Sequence, residues 1–184
     1  MRTMIRSAAT AAAMLVTMST AGVAQSDKLA ADLVKDVEDL ETKVTSLAKA
    51  MPEAAWAWRP GAGVRSGGEV FQHIATDNYF IPLFLGVDAP PASGIKNDYK
   101  TAMAYETRKI SRDEILADLT KSFAHLKQAM LATNPAKLTD AIEMFGQTWS
   151  RQRVLILATT HLHEHLGQLI AYARSNSIKP PWSN

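Results

Sequence analysis

Apolar residues recur every three or four positions along most of this sequence, with polar residues between them. Over segment 26–51 the spacing is kept for about seven helical turns by Leu29, Leu33, Val37, Leu40, Val44, Leu47 and Met51. The charged residues between them form the opposite face, which is typical of a helix side in contact with water. The pattern predicts a long amphipathic helix from Ser26 to Met51, ended by Pro52.

A second helix follows a loop rich in glycine, proline and tryptophan. We expect residues 53–65 to form an ordered loop packed on the helices, because Trp56 and Trp58 stand among helix breakers. Ser66-Gly67-Gly68-Glu69 is a capping box, in which serine and glutamate side chains bind free backbone N–H groups at a helix start. The second helix is predicted to run from this box to about Leu85.

Two further helices complete the pattern. After a loop with prolines and Gly94, Ser111 and Glu114 form another capping box that opens a third helix, which Asn134-Pro135 ends. The last helix is predicted over about 149–175. Since no segment shows convincing strand alternation, we predict an all-α fold, a four-helix bundle.

The N-terminal segment resembles a targeting sequence. Residues 1–24 place Arg2 and Arg6 before an apolar run and close with Gly22-Val23-Ala24, the layout of a cleaved signal peptide. A membrane anchor is the alternative, although the run is short and has no stop-transfer pattern. We therefore expect a signal peptide over 1–24, one domain over 25–184 and a periplasmic or secreted protein.

Charge and cysteine content exclude several functions. The two leader arginines belong to the 20 basic residues, so 18 basic residues remain against 18 acidic ones. No basic patch indicates nucleic acid or a membrane surface as a partner. Because there are no cysteines, thiolate metal sites and cysteine nucleophiles are excluded, and a metal would need histidine and carboxylate ligands.

Three histidines are the candidate site. His161 and His165 lie four positions apart on the apolar stripe of the last helix, so both imidazoles should point inward. His73 occupies the inward face of the second helix. Three such imidazoles could hold one divalent ion with a coordination position left open.

The other polar residues leave alternatives open. Asp77, one turn after His73, is a candidate fourth ligand or hydrogen-bond acceptor for a ligand. Glu164 is expected to be solvated rather than in the site, and His125 and His163 to lie on the surface. Without a metal, core histidines hydrogen-bonded to Tyr172, Gln168 or Asp77 would give the same sequence pattern.

Two segments resemble the DinB-like metal-binding four-helix bundles. One is His165-Leu166-Gly167-Gln168 with His161 before it and Tyr172-Ala173-Arg174 after it; the other is Ser66 to Ala75. The resemblance implies that His73, His161 and His165 bind one divalent ion, zinc or nickel. Leu166 stands where these proteins have a basic residue, which leaves the subfamily open.

The resemblance also supplies candidate functions. Related proteins include thiol-dependent transferases, and metal-assisted hydrolysis is a less specific possibility; either would act on an unknown small-molecule substrate. Gly167 replaces the second histidine of an HExxH motif, which excludes a zincin protease. A structural metal-binding bundle, or a bundle binding an apolar ligand or partner without metal, are the alternatives. Since related bundles pair, the resemblance also implies a homodimer.

Overall fold

The apolar faces predicted for the helices pack together in a common core. The computed structural model describes residues 28–183, and within them the chain forms six α-helices and one β-hairpin. In chain order these are α1 (28–50), α2 (Glu53–Ala57), α3 (Gly67–Leu85), α4 (Tyr99–Glu106), α5 (Arg112–Leu131), β1 (Ala141–Met144), β2 (Gln147–Ser150) and α6 (Arg151–Ser175). The predicted signal peptide over 1–24 lies outside the described residues.

The four long helices α1, α3, α5 and α6 form the bundle, so the predicted all-α class is confirmed. Each contributes side chains with no exposed surface, among them Val44, Phe71, Phe123 and Leu169. These residues belong to one continuous apolar cluster, whose burial is the main favourable contribution to folding. No helix in the described part of the chain is long and apolar enough to cross a membrane.

Both predicted capping boxes are present. The backbone N–H of Ser66 donates to Glu69 Oε2 at 2.8 Å, and the N–H of Glu69 donates to Ser66 Oγ at 3.3 Å. Ser111 and Glu114 make the same reciprocal pair at 2.7 and 3.3 Å. These bonds fix where α3 and α5 begin and hence which residues face the core.

The segment before α3 contains a short helix where the sequence predicted only an ordered loop. Trp56 in α2 is buried, donates from its indole N–H to the Ala48 carbonyl oxygen at 3.1 Å and packs on Phe71. The backbone of α2 lies so close to α3 that a Cβ on Gly67 would be 2.8 Å from the Ala55 carbonyl oxygen. Glycine at this position therefore permits the close approach.

Helix α4 was also missed, since the sequence pattern predicted no helix between Gly94 and the Ser111 capping box. Asp98 caps it by accepting from the N–H of Lys100 at 3.0 Å. Only Ala102 and Tyr105 in α4 are buried, too few apolar positions to give a helical period. With Tyr79, Phe80, Ala89 and Ile95 they form a second small apolar cluster against α3.

The prediction that the chain lacks strands was wrong for residues 141–150. β1 and β2 pair antiparallel, with Met144 opposite Gln147, across a two-residue turn of Phe145 and Gly146. Strands of four residues are too short to show alternation clearly. Because β2 extends to Ser150, the last helix begins at Arg151 instead of about Trp149. Separately, α5 ends at Leu131, three residues before Asn134-Pro135.

Candidate metal site

The three predicted histidines meet between α3 and α6. One ring nitrogen from each of His73, His161 and His165 lies within 4.8 Å of the other two. The two Nε2 atoms of the α6 pair are 3.0 Å apart. The side chains of His73 and His161 are 13% and 16% exposed, and His165 is buried. The structure thus brings together residues almost ninety positions apart in sequence. Helical spacing alone could not predict this contact.

His73 is held from behind by a residue that the sequence analysis missed. Its Nδ1 lies 2.9 Å from Glu106 Oε2, and Glu106 Oε1 accepts from Arg65 Nε and Nη2 at 2.9 and 2.7 Å. Since a carboxylate accepts hydrogen bonds, Nδ1 carries the proton and Nε2 is left free to bind a ligand. Burial disfavours ionisation of Glu106, but its bonds to His73 and Arg65 outweigh this and lower its pKa.

His165 has a corresponding partner on α6. Its Nδ1 lies 2.9 Å from Gln168 Oε1, the Gln168 amide donates to the Tyr172 phenol at 2.8 Å, and that phenol donates to the Arg65 carbonyl oxygen at 3.1 Å. Burial is the main cause that lowers the pKa of His165 to about 4. This imidazole is therefore neutral near pH 7, as a metal ligand must be.

Asp77 lies on the Nε2 side of the histidines. Its Oδ2 is 3.1 Å from His161 Nε2 and 3.4 Å from His73 Nε2. The carboxylate therefore faces the same space as the free ring nitrogens, whereas Glu106 and Gln168 lie behind their rings. Gln168 is bonded to His165, as expected of a core histidine, and Asp77 Oδ2 lies near two of the Nε2 atoms, but one ring nitrogen of each histidine also lies within 4.8 Å of the other two.

The remaining acidic and histidine candidates lie elsewhere. Glu164 and His163 are exposed on α6, as predicted. The prediction for His125 was wrong, because it is half-buried, 5.4 Å from the Tyr79 ring, and its Nε2 has no hydrogen-bond partner within residues 28–183. Burial lowers its pKa.

A cavity of about 470 Å³ opens beside the histidines. His73, Asp77, Glu106 and His161 contribute its polar wall, and the rest of the lining is apolar: Phe80, Ile81, Tyr99, Ala102, Phe145 and Leu157. Its size is within the range of small-molecule sites. Sequence reasoning missed Glu106 and Arg65. Glu106 lies at the end of α4, and the only sequence signals for that helix were the Asp98 cap and the spacing of Ala102 and Tyr105.

The bundle and its three-histidine cluster define a helical protein whose site is compatible with a divalent metal ion. Residues 37–169 match the family model of the DinB superfamily, so the chain belongs to this superfamily, as its sequence motifs predicted. None of the curated proteins compared with the chain matches it.

Solved DinB-like proteins share the fold. One from Bacillus cereus is 15% identical with a TM-score of 0.66, over 83% of this chain and 95% of that one. Another from Bacillus subtilis is 16% identical with a TM-score of 0.60, over 80% of this chain and 93% of that one. At this identity the likeness shows the fold alone.

Proposed function

We propose that His73, His161 and His165 bind one divalent metal ion, zinc or nickel, through their Nε2 atoms. The observation that carries this is the convergence of three ring nitrogens within 4.8 Å of one another. The residues present fit such an ion, because Glu106 and Gln168 hold the Nδ1 protons of His73 and His165 and leave the other nitrogens free. The Nε2 atoms of the partly exposed His161 and the buried His165, 3.0 Å apart, also favour a shared cation.

The site supports a metal-dependent hydrolase or transferase acting on a small molecule. A divalent ion in it would lower the pKa of a water or thiol and so supply a nucleophile near neutral pH. Asp77 faces the Nε2 side and lines the cavity, where its carboxylate is placed to accept a proton from the nucleophile. The cavity gives a substrate direct access to this side of the histidines, which favours a reactive site over a purely structural one.

Metal content tests this proposal directly. The chain from Gln25 onward, made without a histidine tag, should contain about one zinc or nickel ion per chain by plasma mass spectrometry. His73→Ala and His161→Ala should lose the ion while remaining folded by circular dichroism. His163→Ala is the matched control, because this exposed histidine lies on α6 but outside the cluster. A wild-type chain that takes up no ion even from excess zinc or nickel would refute the proposal.

The signal-like segment adds a proposal on location. Residues 1–24 support export to the periplasm or beyond, with cleavage before Gln25. The mass of the protein recovered from cell fractions tests this. A mature chain beginning at Gln25 outside the cytoplasm is expected, and a full-length cytoplasmic chain would refute it. Outside the cytoplasm, hydrolysis fits better than transfer of a cytoplasmic thiol.

A further inference from the structure

Four aromatic rings follow one another along the border of the cavity. Tyr99 packs on Phe80 with ring centroids 6.3 Å apart, Phe80 on Phe84 at 5.4 Å, and Phe84 on Phe145 at 5.8 Å. The rings at the two ends are largely exposed, Tyr99 by 61% and Phe145 by 62%. Both end rings also line the cavity. The cavity therefore has an apolar rim whose two ends are largely exposed.

Phe145 occupies a turn position that disfavours it. It is the first residue of the two-residue turn between β1 and β2, and its φ is 53°, followed by 71° for Gly146. Two positive φ angles are typical of a type I′ turn, where asparagine followed by glycine is preferred. A bulky residue in this region is strained. Strain of this kind concentrates at functional sites, and here it places a phenyl ring at the cavity rim.

The charges around the cavity indicate which part of a ligand it accepts. The charged groups in its lining, Asp77 and Glu106, are acidic, and no lysine or arginine lines it among the described residues. Glu106 is already bonded to Arg65 and His73. A ligand could carry one anionic group at the histidines. A further anionic group elsewhere in the cavity would meet no cation and would lose its hydration. The apolar wall accepts an uncharged hydrocarbon group instead.

We infer that the cavity binds the apolar, aromatic part of a small molecule that carries no charge outside its donor group. Phe145 and Tyr99 close over the outer edge of this aromatic part. The ligand's donor group would then reach the histidines; this part of the inference rests on the proposed function. Aromatic rings would pack edge-to-face or offset against Phe80 and Phe145, the geometries that such rings prefer.

The apolar half of the inference can be tested without metal. N-phenyl-1-naphthylamine, an uncharged dye that fluoresces in apolar surroundings, should bind the chelator-treated chain saturably at about one dye per chain. Phe145→Asn should weaken binding about tenfold. Because asparagine suits the turn better than phenylalanine, this variant should unfold at the same or a higher urea concentration. Leu131→Asn, which removes a similarly exposed apolar side chain that does not line the cavity, is the control and should bind the dye like wild type.

Equal dye affinity in wild type and Phe145→Asn, or the same loss in Leu131→Asn, would overturn the inference. A chain that retains zinc but binds no dye would overturn it while leaving the metal proposal standing. A chain that binds the dye at the cavity but takes up no metal would support the apolar site and refute the metal proposal. The two failures are thus distinguishable.

The link between the two halves is tested with a pair of hydroxamates on the zinc-loaded chain. Benzohydroxamate and acetohydroxamate bind a metal through the same group and differ only in phenyl against methyl. Calorimetry should show benzohydroxamate binding about tenfold more tightly, with the preference reduced in Phe145→Asn and kept in Leu131→Asn. Equal affinities of the two compounds for wild type would overturn the inference.

Discussion

The Tyr172 phenol donates a hydrogen bond to the backbone carbonyl oxygen of Arg65, 3.1 Å away and 107 positions earlier in the chain. The guanidinium of the same Arg65 binds Glu106, the acceptor behind His73. Tyr172 in turn accepts from Gln168, the partner of His165. Arg65 therefore joins the supports of two histidines from different helices and holds their rings in fixed relative orientation.

Removing the Arg65 side chain should weaken metal binding without removing a ligand. In Arg65→Met, Glu106 loses two hydrogen bonds and a positive neighbour, so it holds the His73 ring less firmly. Loss of such outer partners costs about 10- to 100-fold in metal affinity, and competition with a chelator measures it. Arg59→Met is the control, because Arg59 forms an exposed ion pair with Glu69, which contributes little. Unchanged affinity in Arg65→Met would show that Arg65 has no role in positioning the site.

Tyr172→Phe should affect both stability and the site. The phenyl ring keeps the edge-on contact with Trp58, but the Arg65 carbonyl oxygen loses a donor and the Gln168 amide loses its acceptor. We expect the free energy of unfolding of the metal-free chain to fall by about 1 kcal/mol, measured in urea, and metal affinity to fall less than in Arg65→Met. Tyr99→Phe alters an exposed tyrosine and should leave both unchanged. A Tyr172→Phe chain as stable as wild type would contradict this account.

The sequence predicted the bundle and its three histidines because both depend on helical spacing. Ser66 and Ser111 marked helix starts, and His161 and His165 lay on an apolar stripe. Glu106 and Arg65 could not be found in this way, since their contact with His73 depends on how α4 and the segment before α3 fold against the bundle. The hairpin was missed because its strands are short and because Phe145, not the asparagine that typically marks such a turn, precedes Gly146.

Acid should destabilise the chain partly through His125. Burial lowers the pKa of this histidine in the folded state, so below its unfolded value of about 6.5 the unfolded chain binds more protons than the folded one. Stability is therefore lost as the pH falls from about 6.5 toward the folded pKa. In metal-free protein, His125→Phe should lose less stability between about pH 7 and 5 than wild type.

His163→Phe is the matched control for this pH dependence, because His163 is exposed on α6. His165, whose pKa is lowered to about 4, is present in wild type and both variants, so its contribution cancels in the comparison. Urea unfolding at a series of pH values gives the result. If His125→Phe and His163→Phe change the pH profile equally, burial of His125 is not its source.

Metal should stabilise the folded chain by mass action and should not be needed for folding. The continuous apolar cluster extends over α1, α3, α5 and α6 and includes many fully buried side chains, so the bundle has a core independent of the three histidines. Zinc at a free concentration about 100 times its dissociation constant should add about 2.7 kcal/mol to the free energy of unfolding. Calorimetric melting of metal-free and zinc-loaded protein measures this, with the loaded chain melting at the higher temperature.

The variants separate this effect from nonspecific binding. His161→Ala should gain no stability from zinc, whereas His163→Ala should gain as much as wild type, because only the first of these histidines lies in the cluster. Metal-free wild type should still melt cooperatively, since the apolar core remains. A chain that unfolds when the metal is removed would show instead that the ion is structural and ties α3 to α6. In that case the ion would not serve as the site where a substrate binds, and the cavity beside it would need a function that does not involve the ion.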